Sequence, residues 1–238
     1  MGQDFALWVY LTQGPLLWLT VTLGAYAVAD WLSLRAGRHP VANPVLMSVV
    51  IVGGLLIASG TQYRTYFDGA QFIHFLLGPA TVALALPLWE HRAKVIASAI
   101  PMLAALLAGS VVAAGSALAV AWAMGAPEGV LVAIAPKSVT AGVAMSITEA
   151  QGGDPALTAV LVILTGMIGA LVVTPLMDAL GIRDYRARGF AVGLASHGIG
   201  TARAFQVDPV AGTFAGIAIG LNAVMTAVIV PVLLGVVR

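Results

Sequence analysis

The sequence predicts an all-α integral membrane protein with about seven or eight membrane segments, and three observations support this prediction. First, 60% of the 238 residues are hydrophobic and only 9% are charged, whereas a soluble domain carries roughly 25% charged residues. Second, apolar runs of near-spanning length recur along the chain. Third, these runs lack the alternation of a membrane β-barrel strand, so the helix is the structure that can satisfy their backbone in lipid.

Eight apolar runs can be placed, and only short segments separate them. They cover about residues 5–29, 43–60, 66–89, 95–123, 129–150, 155–179, 188–207 and 209–235. Gly, Pro or charged residues mark several of the connections, and none is long enough to be a linker between domains. We therefore expect a single membrane domain over residues 1–238.

A faint internal repeat relates the two halves of the chain. The segments Gly-Pro-Ala-Thr at 78–81 and Gly-Ile-Gly-Thr at 198–201 are 120 residues apart, and the prolines at 15 and 136 have nearly the same offset. Repeat 1 would cover about residues 5–123 and repeat 2 about residues 127–238. The alternative is that small residues, Pro and Thr recur by chance in membrane helices.

The charged loops indicate how the runs are oriented. Loops 35–39, 91–94 and 183–188 are rich in Lys and Arg, and such loops face the cytoplasm. Eight simple spans would put loops 91–94 and 183–188 on opposite sides. They share a side if one run between them does not span, and run 129–150, broken at Pro136, is the natural candidate for a re-entrant or broken helix. The two repeats would then be inverted, as in many secondary transporters.

Lys137 is the first candidate binding residue. It lies with Ser138 and Thr140 inside the apolar run 129–150, directly after Pro136. A charge in the membrane centre costs about 2.5–3.5 kcal/mol on insertion scales, and a proline removes a helix hydrogen bond. A buried cation, two hydroxyls and the amides of a broken helix favour an anion site. The alternative is a structural lysine, although Lys137 is too far from either end of its run for easy snorkelling.

A second group combines helix-loosening glycines with polar side chains. Its candidates are His197, Gly198, Gly200, Thr201 and Arg203. The glycines allow a ligand to approach the backbone, and the histidine and threonine share a face if the turn stays helical. The arginine can hold a carboxylate with two parallel hydrogen bonds. Alternatively, Arg203 snorkels or pairs with Asp208, and His197 only donates to a carbonyl.

A third group has no charge and consists of Gly78, Pro79 and Thr81. The Gly-Pro break exposes backbone groups, and Thr81 mirrors Thr201 in the other half. The alternative is a kinked helix whose small residues form a helix contact. Asn222, alone in the last apolar run, is also a candidate ligand contact, although a hydrogen bond between helices is the simpler interpretation.

Some classes of function are excluded by what the sequence lacks. Every Asp and Glu lies at or near the end of a run or before the first one, so we expect no carboxylate proton relay or carboxylate sodium site. The chain has no cysteine, and no phosphate-binding loop, zinc motif or hydrolase motif occurs. We therefore expect no catalytic residue, metal or cofactor, and the absence of a basic patch argues against a nucleic-acid partner.

Three ordered segments carry a family resemblance. Gly78-Pro-Ala-Thr-Val-Ala-Leu-Ala, Pro136-Lys-Ser-Val-Thr and Ser196-His-Gly-Ile-Gly-Thr-Ala-Arg-Ala204 resemble signature segments of the LrgB/CidB family. Asn43-Pro44, the stretch 161–166 and Gly189 fit as well, so the resemblance runs across nearly the whole chain. The family pattern usually continues Pro-Lys-Ser-Val-Thr with Thr-Pro, whereas Ala141-Gly142 follows here. That difference leaves the lysine and hydroxyls intact but alters the local bend.

The resemblance implies two functions. Members of the family are described as holin/antiholin-like proteins that control murein hydrolase activity and autolysis, with a small LrgA/CidA-type membrane protein as partner. Relatives include the plastid glycolate/glycerate translocator, and bacterial members are linked to pyruvate transport.

We therefore expect a multi-pass transporter of the bacterial inner membrane. Its substrates would be small 2-oxo or 2-hydroxy monocarboxylates such as pyruvate, glycolate, lactate or glycerate. The alternative is a holin-like regulator of autolysis. An oligomeric pore needs a polar stripe along a helix face, and here polarity is concentrated at three helix breaks, which favours the transporter. We also expect contact with lipid and a homo-oligomer, with a dimer as the working assumption.

Overall fold

The computed structural model describes residues 15–76, 79, 82–83 and 85–237. They divide into two compact units, Met1–Ala85 and Leu86–Arg238. Every regular element of the described residues is a helix. The predicted repeat boundary near residues 123–127 lies within the second unit, and the repeat itself stays a prediction.

The first unit is built around its longest helix, which packs on the two helices that follow it. The elements are α1 (Pro15–Arg35), a 3-10 turn (Pro40–Ala42), α2 (Pro44–Ser59) and α3 (Tyr63–Phe75). Trp18 of α1 is buried and meets the ring of Tyr66 edge to face at 5.9 Å between centroids. The Asn43 side chain accepts hydrogen bonds from the amides of Val45 and Leu46 and so caps α2, as expected for Asn before a first-turn proline.

The second unit contains long helices separated by short or interrupted ones. Its elements, starting at the boundary between the units, are α4 (Ala85–Glu90), α5 (Arg92–Ala97), α6 (Ala99–Ala123), α7 (Glu128–Ile134), α8 (Ala141–Ala150), α9 (Pro155–Ala179), α10 (Tyr185–Val207) and α11 (Pro209–Val237). In the described part of the chain, α1, α6, α9 and α11 are long and apolar enough to cross a membrane. The all-helical membrane character is thus confirmed, while the count of seven or eight segments and the inverted repeat stay predictions.

Helices α7 and α8 lie side by side as a helical hairpin, termed the first hairpin, whose tip is formed by residues 135–140. A methyl group on Gly153, just after α8, would lie 2.6 Å from Val132 of α7 and 2.7 Å from Thr148 of α8. Positions 132 and 153 would be about 30 Å apart if the chain ran on in one line. The chain therefore turns back between α7 and α8. At the base of the hairpin, the Thr158 hydroxyl of α9 donates to that of Thr148 at 2.9 Å.

Helix α10 is also a hairpin, termed the second hairpin. His197 has φ 42° and ψ −137° inside it, which is far from helical geometry. A methyl group on Gly200 would lie 2.8 Å from the Val192 side chain, although eight residues of continuous helix span about 12 Å. Val192 and Ala204 belong to one apolar cluster. The arms are residues 185–196 and 198–207, and the residues around their junction, 194–201, are termed the second tip. A second run therefore turns back where the sequence analysis expected only one to do so.

The two hairpins enter the unit from opposite ends. Phe190 and Leu194 of the second hairpin pack on Met102 and Leu106 in the first half of α6. The first hairpin instead packs on the last part of α6 and the last part of α11, in a cluster that includes Leu118 and Leu234. The hairpin tips therefore meet near the middle of α6 and α11.

We name these two ends by one residue each. The Arg186 end holds the base of the second hairpin, where the Arg186 guanidinium donates to Asp184 and, at 3.4 Å, to Ser98 at the start of α6. This arginine lowers the pKa of the Asp184 carboxyl by hydrogen bonding and charge. The Glu128 end holds the base of the first hairpin, with Asp154 beside it.

The hairpin geometry of α10 predicts that its two termini face the same side of the membrane. Single cysteines can test this cleanly because the native chain has none. Tyr185→Cys and Val207→Cys, both at exposed positions, should react with a membrane-impermeant maleimide from one side, the side of Arg92→Cys. Glu128→Cys and Asp154→Cys should react from the other. Labelling of positions 185 and 207 from opposite sides would mean that α10 spans the membrane.

Candidate functional site

The tips of the two hairpins are joined by the side chain of Asn222, which is 1% exposed near the middle of α11. Its amide nitrogen donates to the carbonyl oxygen of Leu194 at 2.9 Å and to that of Ser138 at 3.4 Å. Its amide oxygen accepts from the hydroxyl of Ser110 at 2.7 Å and from that of Thr226 at 3.1 Å. One side chain therefore bridges α6, α11 and both tips.

The first tip exposes a cation at the break between its arms. The amide of Lys137 donates to the carbonyl of Ile134, the last residue of α7, and α8 begins after Thr140. Lys137 is half-buried, and its ammonium lies 3.4 Å from the hydroxyl of Ser138. Among the described residues, none of the three ion pairs involves Lys137. The tip thus carries a positive charge that a ligand can neutralise.

The second tip is fixed by His197. Its Nε2 lies 2.9 Å from the carbonyl oxygen of Val162 in α9, and because a carbonyl can only accept, Nε2 carries the hydrogen. The Thr201 hydroxyl donates to the His197 carbonyl at 2.9 Å. Gly198, the first residue of the second arm, is exposed and has open space around it. The histidine thus makes the carbonyl contact named above as the alternative to ligand binding.

The electrostatics of the tips favour a negative ligand. Helix α8 and the second arm of α10 both begin here, and a helix N-terminus carries about half a positive charge. The Lys137 ammonium and the His197 ring are close enough to interact electrostatically. The opposing helix ends present carbonyls, and the Asn222 amide meets one from each tip. The Lys137 ammonium, the two helix N-termini and the hydroxyls of the tips are therefore groups of the kind that an anion site requires.

Two glycines of α9 allow the second tip to pack closely against that helix. A methyl group on Gly166 would lie 2.6 Å from the His197 ring, and one on Gly169 would collide with the Ser196 hydroxyl. Small residues at helix contacts let backbones approach in membrane proteins. Position 169 therefore sets how near the tip lies to α9.

The structure brings most of the predicted residues together. Those at the two tips or on the helix that joins them are Lys137, Ser138, Thr140, His197, Gly198, Gly200, Thr201 and Asn222. Arg203 is buried in the second arm, five residues after Gly198, which is about 7.5 Å along a helix. Asp208 accepts hydrogen bonds from the amides of Val210 and Ala211 and so caps α11.

The third predicted group lies in the first unit. Pro79 is an exposed helical residue there, while Gly78 and Thr81 lie outside the described residues. Their membership of the site stays a prediction.

Several contacts of the tips were missed by sequence reasoning. Ser110 was not selected, although a lone polar side chain in an apolar helix is the kind of signal that singled out Asn222. Gly169 has a weaker signal, since small residues recur throughout this chain. The carbonyl groups of Val162 and Leu194 have no sequence signal, because every residue has one.

Comparison with known proteins identifies the family. The model of the LrgB-like family matches residues 22–236. The chain belongs to the LrgB-like family. Among relatives, uncharacterized protein YwbG of Bacillus subtilis is 33% identical over 192 residues, 81% of this chain and 85% of its own. Holin-like protein CidB of Staphylococcus epidermidis is 29% identical over 94% of this chain and 97% of its own. Holin-like protein CidB of Staphylococcus aureus is 30% identical over 92% and 95%.

The resemblance noted from the three sequence segments is thereby confirmed. The names of the two CidB proteins agree with the holin-like alternative and do not mention monocarboxylate transport. No solved structure matches this chain.

The contact of Gly169 with the second tip leads to a stability prediction. Gly169→Ala should lower the melting temperature by several degrees, because a methyl group forces the tip from α9 and overpacking costs roughly 1–3 kcal/mol. Gly115→Ala in α6 is the matched control, since a methyl group there meets nothing within 4 Å and Ala favours a helix. Equal melting temperatures for the two variants in detergent would contradict the close approach of the tip.

Proposed function

We propose that this chain is a multi-pass transporter of the bacterial inner membrane that binds a small carboxylate anion between the two hairpin tips. The observation that carries the proposal is Lys137, a half-buried cation at a helix break with no ion pair in the described part of the chain. A charge inside a membrane segment is energetically costly, so its presence indicates a functional role.

The geometry also supports a small ligand with one carboxylate. Lys137 supplies one full charge, and the two helix N-termini add partial charges. The hydroxyls of Ser138 and Thr140 lie on the same tip, and that of Thr140 makes no capping bond to α8. A carboxylate near the ammonium with a 2-oxo or 2-hydroxy oxygen near the hydroxyls would use these groups. Pyruvate, glycolate, lactate and glycerate have this chemistry.

The second tip completes the proposed site. Gly198 and Gly200 offer backbone near the N-terminus of the second arm, and Thr201 follows them. Arg203 would hold the carboxylate of an anion that moves along this arm. His197 and Asn222 act mainly by positioning, because their hydrogen bonds fix the tips to α9 and α11.

Two hairpins that enter from opposite ends support alternating access. Each tip closes the site toward the end from which its own hairpin enters. Movement of one hairpin at a time would open the site to one side while the other hairpin keeps it closed, in line with the midplane sites of secondary transporters. By the positive-inside rule, the Arg186 end would be cytoplasmic.

A second candidate function is favoured by the names of the relatives. CidB proteins that match over more than nine-tenths of this chain are called holin-like. On this hypothesis the chain regulates murein hydrolase activity and autolysis together with a small LrgA/CidA-type membrane protein. The two functions are compatible, because altered metabolite flux can change autolysis indirectly. A homo-oligomer is expected under either function and stays a prediction.

Lys137→Gln should abolish uptake of labelled pyruvate or glycolate into liposomes that contain the purified protein, because the anion loses its counter-charge. The variant should insert and purify normally, since no ion pair among the described residues involves Lys137 and glutamine can also donate to the Ser138 hydroxyl. Lys94→Gln is the matched control at an exposed position near the Arg186 end, and it should transport normally. Full uptake by well-folded Lys137→Gln protein would contradict the anion site.

The same variant distinguishes the two candidate functions. In cells that lack the native gene, wild-type protein and Lys137→Gln should be compared for autolysis rate and for uptake. If autolysis depends on flux, the variant loses both activities. If the protein acts by assembly, the variant keeps its effect on autolysis without uptake.

Arg203→Lys should reduce uptake severely, because lysine keeps the charge but loses the planar pair of donors. Asp208→Asn should have a mild effect, since Asn also caps a helix well and Asp208 caps α11. The measurement is the initial rate of uptake for both variants in liposomes. Near-normal uptake by Arg203→Lys would remove Arg203 from the site and leave Lys137 as its cation.

A further inference from the structure

A groove that the anion site does not use runs between α6 and the first arm of the second hairpin. It encloses a cavity of about 500 Å³. The polar residues Ser98, Asp184 and Arg186 line one end, and Gly109 and Leu194 line the other. Along a helix, Ser98 and Gly109 are about 16 Å apart. The groove therefore extends from the Arg186 end toward the middle of α6.

The groove is apolar and open along its side. Its rim is formed by small exposed residues, among them Ala97, Ala105 and Ala187. Its floor includes the buried rings of Phe190 and Phe214. Helix α6 is long and apolar enough to cross a membrane. Because the bilayer core contains no water, an open groove in this helix must be filled by a lipid chain or by another protein segment.

The dimensions of the groove favour a lipid chain. Its two walls meet at both ends, since the Arg186 guanidinium lies 3.4 Å from the Ser98 hydroxyl and a methyl group on Gly109 would lie 2.9 Å from Leu194. A helix about 10 Å across and 16 Å long occupies roughly 1,300 Å³, which is more than twice the volume of the cavity. The hydrocarbon of one leaflet is about 15 Å thick, half of the bilayer core. One acyl chain therefore matches the groove in width and in length.

The polar end of the groove offers hydrogen bonds to a phosphate. Nε and Nη2 of Arg186 donate to Asp184, whereas Nη1 faces the Ser98 hydroxyl. A guanidinium has five N–H groups, so Nη1 can also donate to a phosphate oxygen. The Ser98 hydroxyl makes no capping bond to α6. It can donate to the same phosphate while it accepts from Arg186.

The residues around this end are typical of the level of lipid headgroups. Loop 183–188 has three arginines and one aspartate. Tyr185 is exposed, and the Arg188 guanidinium lies 5.8 Å from the centre of its ring. Tyrosine is enriched at the membrane–water interface, and basic pockets between membrane helices bind anionic headgroups on the cytoplasmic side. Charge complementarity thus favours an anionic lipid over a zwitterionic one.

We propose that the groove binds an anionic phospholipid, with one acyl chain along α6 and the phosphate at Arg186 and Ser98. The end of the chain reaches Leu194, whose carbonyl accepts from Asn222. Bound lipid therefore packs against the first arm of the second hairpin and stabilises the second tip. This binding requires no transported anion, so it is independent of the proposed function.

The test is the melting temperature of the delipidated protein in detergent with added dioleoyl phosphatidylglycerol, dioleoyl phosphatidylcholine or glycerol 3-phosphate. Phosphatidylglycerol should raise it by on the order of 5 °C. Phosphatidylcholine should have a much smaller effect, and glycerol 3-phosphate should have none because it has no acyl chain. Equal effects of the two lipids would overturn the anionic site. Equal stabilisation by glycerol 3-phosphate would indicate a site for free anions and would also overturn the proposal.

A pair of charge variants locates the headgroup. Arg186→Gln should raise the phosphatidylglycerol concentration for half-maximal stabilisation several-fold. Arg183→Gln removes the same charge from an exposed position of the same loop that does not line the groove, and it should leave that concentration unchanged. Equal concentrations for the two variants would contradict a phosphate at Arg186.

A second pair of variants locates the acyl chain. Ala105→Phe places a ring in the groove and should abolish stabilisation by phosphatidylglycerol. Ala104→Phe adds the same ring at an exposed position of α6 outside the groove, and it should leave the stabilisation unchanged. Equal stabilisation of both variants would overturn the lipid site. If light scattering showed that Ala105→Phe alone breaks a dimer while stabilisation persists, the groove would belong to a second copy of the chain instead.

Discussion

The rest of the second unit depends on the amide of Asn222. A helix that breaks in an apolar medium frees backbone groups that must find partners, since an unsatisfied group in lipid costs several kcal/mol. Asn222 satisfies one carbonyl from each break and is itself supported by Ser110 and Thr226. The bridge lies near the middle of α11, so it fixes the depth at which both hairpins end.

Close packing makes that bridge possible. The first arm of α10 lies so near α11 that any side chain at Gly189 or Gly193 would overlap the carbonyls of Ala211 and Ala215. Gly166 and Gly169 give the same freedom on α9. Because membrane helices gain little from hydrophobic burial, such contacts rely on van der Waals packing and hydrogen bonds. The glycines thus allow the helices and the tips to approach one another, and the hydrogen bonds of Asn222 hold the tips in place.

The names of the relatives concern the physiological role of the protein, and the geometry of the tips concerns ligand binding. Membership of the LrgB-like family and relatives called holin-like point to a physiological role, whereas the hairpin tips concern what the molecule binds. If the tips bind and transport a small anion as proposed, the flux of that anion is a physical basis on which a holin-like role can depend.

The sequence by itself determined the all-helical membrane class, the family and two positions where helices break, near Pro136 and near His197. Hydropathy identifies a helical membrane protein. Pro136 and the glycines near His197 mark the breaks because they disfavour a continuous helix, and Lys137 does so because a charge is costly inside a membrane helix. Only the tertiary structure decided that the run 188–207 folds back. A hairpin and a kinked span have the same composition and differ in contacts between distant residues, such as Val192 with Gly200. The same holds for the role of Asn222, because its partners on α6 and at both tips include backbone carbonyls that no sequence pattern identifies.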